Sequence, residues 1–417
     1  IKTATFTATS GEGYFCNTSG GAFTVNLPAG SAGAIVAVSD YTRTFADNTC
    51  TVAPNGSEKI GGIAENALLT VNGQSATFVY VDGTEGWINV QETQTSQTGM
   101  PEFIVASVSG ACNTLTTSGD CKIATFVGPG TFTVCNAAAL CGATRNVVSY
   151  LVVAGGGAGG SDYSATSGGG GGAGGYRELK SPLNPYTASP LDGYPTPANR
   201  ITVTAQGYPI TVGAGATTLP SGPGPETYSS GFPSTFDSIT STGGGGGASN
   251  RCSAPAPSRA AGTGGSGGAA SYYGPGVGAA GNTPPTTPSQ GFAGGNGGPG
   301  CGAYGSGGGG GATAVGANGT TTCGGDGGAG ATTSINTTPT ARAGGGGGAG
   351  WHGGPPTSAG AGGPGGGGAG GADGGNPGNA ATINTGGGGG GAAGGPGAGY
   401  VGGNGGSGIV IIRYKFQ

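Results

Sequence analysis

Short stretches of alternating or β-branched residues recur through the first part of the chain, and one more closes it. Between 1 and 91 they fall at 3–9, 22–27, 35–39, 50–53, 68–71, 76–81 and 87–91. Turn signals separate them, among them Ser19-Gly20-Gly21, Asn55-Gly56, Asn72-Gly73 and Asp82-Gly83. Strands at this spacing predict a small β-sandwich or barrel over 1–91, and no helical period competes with it. The polar stretch 92–100 reads as a linker. A second β segment covers 101–154, with strands expected at 104–108, 122–126, 131–134 and 147–153 and a turn at Gly128-Pro129-Gly130. A hairpin is expected at 200–205 and 208–212, turned at Gln206-Gly207. The last run, 408–416, is fully apolar at its centre and has no sequence neighbour to pair with. It is predicted to return beside 150–153. Residues 155–408 then become an insertion in one small sheet that 409–417 closes.

The insertion is mostly glycine. Runs stand at 168–172, 243–247, 307–311, 344–348, 365–368 and 386–391, separated by segments rich in Pro, Thr, Ser, Ala and Asn. Between 243 and 408 there is too little Leu, Ile or Phe for an ordinary core. With 106 Gly and 27 Pro the composition suits low complexity, and a flexible linker is the competing reading. A disordered chain usually repels itself through net charge. Here the net charge is only -4, and the apolar ends need partners. Order is therefore expected. Fixing a glycine backbone costs roughly 1–2 kcal/mol. Backbone hydrogen bonds at roughly 0.5–1.5 kcal/mol each must offset that cost. Packed extended helices of three residues per turn, in the polyproline-II manner, make enough of them, because glycine lets backbones approach closely. Asn282-Thr283-Pro284-Pro285 and Gly353-Gly354-Pro355-Pro356 would be loops at the ends of such a brick. The fold class expected is all-β modules followed by packed glycine helices and a closing strand, with essentially no α-helix.

Charge and apolar content narrow the partners. A pI near 4.9 without a basic patch argues against nucleic acid, and no apolar run is long enough for a transmembrane helix. The chain opens on Ile1 without a charged-then-apolar leader, so a processed form or a piece of a longer protein is expected.

Nine cysteines, Cys16, Cys50, Cys112, Cys121, Cys135, Cys141, Cys252, Cys301 and Cys323, lack the paired spacing of a zinc site, and the single His352 cannot complete one. No metal or cofactor is expected. Disulfides in an oxidising setting are the better reading. The pairs considered are Cys112 with Cys121, Cys135 with Cys141, Cys16 with Cys50 across the first module, and two of Cys252, Cys301 and Cys323. One thiol would stay free or join another chain.

Catalytic motifs are weak. Gly155, Gly157 and Gly160 follow a strand in dinucleotide-binding spacing, but 161–175 cannot supply the helix that motif needs. The sequons at Asn17, Asn55, Asn318 and Asn336 are expected by chance in a Ser/Thr-rich chain. Carboxylates thin out to Asp162, Glu178, Asp192, Glu226, Asp237, Asp326 and Asp373, and His352 has no evident orienting partner. The chain is read as a non-enzyme with no catalytic residue. The aromatic islands Tyr272, Tyr273, Phe292, Tyr304, Trp351-His352 and Tyr400 stand out instead. Aromatics make large contacts at low entropy cost, so they serve either as contact residues or as caps over the lattice ends. Tyr272, Tyr273 and Trp351 favour contact.

The stretch 148–160, the run 168–176, Ser238-Ile239-Thr240-Ser241-Thr242 leading into 243–247, and the ending 405–414 resemble the glycine-rich domain of bacteriophage tail-fibre and adhesin proteins. Residues 119–126 and 130–134 resemble the strand pair that leads into it. Gly13-Tyr14-Phe15, 38–41, 72–75 and 80–87 are similar to β modules of the same proteins. Cys121, Cys135 and Cys141 depart from the commoner pattern. The resemblance implies polyglycine-II packing, a virion or extracellular location, contact with other fibre subunits, homotrimerisation, and loops that bind a host-surface receptor, glycan or outer-membrane protein. A structural subunit of an extracellular filament, with the loops making subunit contacts, is the alternative. An ice-binding or matrix protein would need a regular Thr or Ala row that the interruptions break.

Overall fold

The computed structural model describes residues 1–91, 103–138, 145–162, 167–218, 229–249, 260–271, 276–298, 305–350, 358–372, 374–395 and 399–417. Among these there is no α-helix, only one 3-10 turn at Pro197–Asn199. Two compact units emerge, one holding 1–105 and the other most of the remainder.

The first unit is a sandwich of eight strands: β1 (Phe6–Thr7), β2 (Glu12–Cys16), β3 (Phe23–Asn26), β4 (Ile35–Asp40), β5 (Cys50–Ala53), β6 (Ala67–Leu69), β7 (Ser75–Tyr80) and β8 (Trp87–Asn89). The sheet orders are β1-β3-β5-β6 and β2-β4-β7-β8. Consecutive strands from β1 to β5 alternate between the sheets, so β1–β3, β3–β5 and β2–β4 pair in parallel. One core holds inward residues of both sheets, including Val25, Val36, Val38, Val52, Leu69, Phe78 and Trp87. The sandwich expected for 1–91 is present. Strand β2 went unpredicted because Gly13 interrupts its alternation.

In the second unit, β10 (Thr114–Ser118), β11 (Cys121–Phe126), β13 (Ser149–Val153), β14 (Tyr176–Leu179) and β20 (Ile409–Lys415) form one sheet, in the order β10-β11-β20-β13-β14. The second sheet runs β17-β16-β15-β12-β9, from β9 (Val105–Ser109), β12 (Gly130–Asn136), β15 (Gly207–Thr211), β16 (Ser234–Phe236) and β17 (Ile239–Ser241). A short hairpin, β18 (Ala331–Thr333) with β19 (Thr340–Arg342), stands apart. As the sequence predicts, β20 returns: Val153 pairs Ile409 and Tyr150 pairs Ile412, with β11 on the other edge. The expected hairpin at 200–212 does not form. Thr202 bridges Val147, while β15 pairs β12 and β16. Long-range partners replace the local one.

Strand β20 is buried on both faces, which is why its centre is apolar without alternation. On one face Ile409 and Ile411 join Leu151, Val153 and Tyr176 with Ala173, Ala312 and Ala343 from the glycine-rich insertion. On the other, Tyr414 lies edge-on to Phe132, within a group that includes Phe236, Tyr150 and Tyr208.

The glycine-rich insertion consists of extended rows whose hydrogen bonds rotate with a period of three. In the first row, 154–162, the N–H groups of Ala154, Gly157 and Gly160 reach Gly175, Gly172 and Gly169 at 2.9–3.0 Å. Those of Gly155 and Ala158 reach Phe232 and Ser229, and those of Gly156 and Gly159 reach Gly406 and Gly403. Row 168–175 is wholly buried. It donates to rows 386–392, 242–248 and 307–310, and accepts from rows 154–160, 266–269 and 346–349. Surface rows show the same period in burial: Ser358, Ala361 and Pro364 are exposed, whereas Gly360 and Gly363 are buried. Glycine is required here by proximity. A Cβ at Gly156 would run into the carbonyl of Gly387, and one at Gly170 into that of Gly346.

Burial around the central sheet holds tyrosine protons tightly. Tyr150, Tyr176 and Tyr186 are raised by desolvation, and Tyr414 is pushed up to about 12 for the same reason. A phenol raised on folding contributes stability that is complete below its unfolded pKa of about 10 and is lost as pH climbs through the folded value. Stability is therefore expected to fall from about pH 10 upward, with the share held by Tyr414 lost by about pH 12. Circular dichroism recorded alongside phenolate absorbance checks this. Full ionisation of all 15 tyrosines near pH 10 with an unchanged fold would contradict it.

Candidate functional site

The rows have two distinct ends. At the base, alanines meet the sheet, and the connections are described residues such as 282–290, 313–315 and 382–385. Gln290 is buried there. Its Oε1 accepts from Thr242 N at 2.9 Å and its Nε2 donates to Pro284 O at 2.9 Å. Glu178, on β14, accepts from the Tyr176 hydroxyl at 2.8 Å, Ser189 N at 3.0 Å and Thr333 Oγ1 at 2.5 Å. The carboxylates Glu178 and Asp192 are thus engaged in holding the base together, and Asp192 accepts from Lys180 N and Tyr194 N.

At the far end, row termini gather. Asp162 N bonds Tyr400 O, Ser161 N bonds Ser249 Oγ, Ser167 pairs Ala393, and Ser306 Oγ donates to Ser167 O. Gly298 N bonds Gly305 O, Ser306 N bonds Ala349 O and Gly350 N bonds Gly371 O. These described row termini lie together at one end of the lattice. The candidate contacts Tyr272, Tyr273, Tyr304, Trp351 and His352 lie outside the described residues, as do Cys141, Cys252 and Cys301. Phe292 does not sit in a far-end loop. It stands within a row near the base, its N–H bonded to Gly311 and its carbonyl to Gly267 N, with its side chain partly exposed. Tyr400 lays its ring over Gly375 and is a cap.

The dinucleotide-like spacing resolves into lattice. The N–H groups of Gly155, Gly157 and Gly160 all bond carbonyls of neighbouring rows, and Gly160 leads into Ser161 without a helix. Of the cysteine pairs, Cys112 with Cys121 is incompatible with the fold. Register places Ser118 opposite Cys121 and Thr114 opposite Thr125, which puts Cys112 on the order of 20 Å along the hairpin from Cys121. A disulfide needs Cα atoms within about 7 Å. Cys121 is buried and donates to Asn184 Oδ1, while Cys135 is exposed and free. Half-buried Cys323 accepts from Ser358 Oγ at 3.0 Å, and this and the neighbouring Thr322 hydroxyl draw its thiol below the ordinary range.

One set of working residues escaped the sequence reading. On the flanks, where a row has no neighbour, side-chain amides or carboxylates stand in for it. Asn296 Oδ1 accepts from Gly278 N, Asn318 Oδ1 from Asn296 N, Asp326 Oδ1 from Ala361 N and Asn404 Oδ1 from Thr218 N, all at 2.7–2.9 Å. All four residues are exposed, and each is followed by glycine. The signal was the recurring Gly/Ala-Asn/Asp-Gly triplet. Asn318→Ala is expected to cost about 0.5–1 kcal/mol, because the freed N–H turns to water rather than staying unpaired. Urea unfolding measures it, and a loss near zero would count against the edge role.

A family model described as a glycine-rich domain matches residues 128–415. A comparison with curated proteins finds no match.

Proposed function

The chain belongs to the glycine-rich domain family through residues 128–415, and from that premise we propose that it is a receptor-binding subunit of a bacteriophage tail fibre or adhesin. Its rows are polyglycine-II helices, and they form a rigid mount for loops that meet the host surface. The observation that carries this reading is the convergence of row termini at one end. Asp162, Ser167, Ser249, Ser306, Gly350 and Tyr400 are held within one hydrogen-bonded neighbourhood of rows. That end is remote from the sheet that anchors the array. A scaffold that orders many backbones and leaves sequence variety to the connections suits recognition, where adaptable loops ride on a fixed frame. Asn and Asp caps on the flanks also occupy the N–H groups that would otherwise recruit further rows, which suits a discrete subunit over a laterally growing lattice.

The test replaces 251–259 and 351–357 with Gly-Ser stretches of equal length and follows binding of labelled protein to a panel of bacterial cells by flow cytometry. Binding lost at least tenfold with an unchanged circular dichroism spectrum is the expected result. Unchanged binding to every strain the parent protein recognises would overturn the proposal.

A further inference from the structure

We infer that the first module is closed by a disulfide between Cys16 and Cys50, a bond that ties its two sheets together. This inference stands independently of the proposed function. Cys16 is the last residue of β2, in one sheet, and Cys50 the first of β5, in the other. Both side chains are 0% exposed and belong to the same core cluster. Backbone pairing fixes each position. Cys16 lies beside Asp40 and bridges Lys2, its carbonyl accepting from Tyr41 N, while Cys50 is paired between Phe23 and Leu69. Each thiol is near enough to act on the other's proton, so the two sulfurs are neighbours across the sandwich. The other described cysteines, Cys112, Cys121, Cys135 and Cys323, are placed elsewhere in the fold.

The oxidant is a small external disulfide. The Cys16 thiolate attacks one of its sulfurs and expels a thiolate. The Cys50 thiolate then attacks the Cys16 sulfur of the mixed disulfide and expels the second. The two cysteines give up two protons and two electrons, and the external disulfide becomes two thiols. Because both sulfurs are buried, this exchange belongs to folding or to transient opening of the module. Once formed, the bond is shielded from reductants in the closed state.

The experiment refolds the reduced full-length chain in a glutathione redox buffer, unfolds it, blocks remaining thiols with iodoacetamide and maps peptides by mass spectrometry. The expected result is a peptide pair joined through Cys16 and Cys50 that separates on reduction. Alkylation of both residues, or their linkage to other cysteines, would overturn the inference. A second readout is amide exchange in β2 and β5 of the full chain. Closing a loop of this length predicts exchange faster by roughly 10²- to 10³-fold after reduction. Cys16→Ala, Cys50→Ala and the double variant should each show that same loss without reductant. Losses that add in the double variant would mean packing alone and contradict the bond.

Discussion

Gly170→Ala is expected to destabilise the glycine-rich unit by about 3–5 kcal/mol, although alanine usually stabilises an ordered glycine position by about 0.4–1 kcal/mol. The sign reverses because the methyl group has nowhere to go. Its Cβ would overlap the carbonyl of Gly346 and press on Gly309 N, and both are backbone atoms of paired rows. Moving either row breaks bonds such as Gly170 N to Gly307 O and Gly346 N to Gly171 O. The control is Gly128→Ala, in the same unit, where the nearest atom, Ala111 O, lies 4.0 Å from the new Cβ. Urea unfolding of both variants checks the claim, and equal midpoints would refute close packing as the reason for glycine.

Removing 409–417 is expected to abolish the fold of the whole glycine-rich unit. Strand β20 lies between β11 and β13 and buries Ile409, Val410, Ile411, Ile412 and Tyr414 almost completely. At roughly 1.5–3 kcal/mol for each buried side chain, the loss is on the order of 10 kcal/mol. That matches the entire stability of an ordinary domain, about 5–15 kcal/mol. Ile411→Ala is the graded version, and about 2–5 kcal/mol is expected from the cavity it leaves against Val153, Ala173 and Ala312. Hydrogen exchange in the rows reads both variants. Rows that stay protected in the truncated chain would show that the lattice holds without its base.

What could be read from the sequence depended on whether a signal was carried by side chains. The apolar run at Ile409 to Ile412 had no nearby partner, and a matching run stood at Tyr150 to Val153, so their pairing was legible across more than 250 intervening residues. The order of the rows was legible only in outline, because backbone hydrogen bonds leave no mark on residue identity. What marks they do leave are small: alanine where a row meets the sheet, as at Ala173, Ala312 and Ala343, and Asn or Asp before glycine where a row lacks a neighbour. The hairpin expected at 200–212 failed because the partners at Val147 and β12 lie outside any local window. Strand β2 was missed because Gly13 breaks the side-chain alternation by which a strand is read. Proximity in sequence suggested Cys112 with Cys121, and strand register removed it. The aromatic islands could be picked out, but sequence did not distinguish Tyr400 as a cap or Phe292 as a row residue.

The central claim is that glycine rows, bonded to neighbours in three directions in turn, form an ordered lattice. Hydrogen exchange followed by NMR with selective ¹⁵N-glycine labelling tests it most directly. The account predicts that the amides of 168–175, which donate to three rows and accept from three others, exchange as slowly as those of β13 and β20. Exchange of those glycines at unstructured rates, while β13 and β20 remain protected, would contradict it.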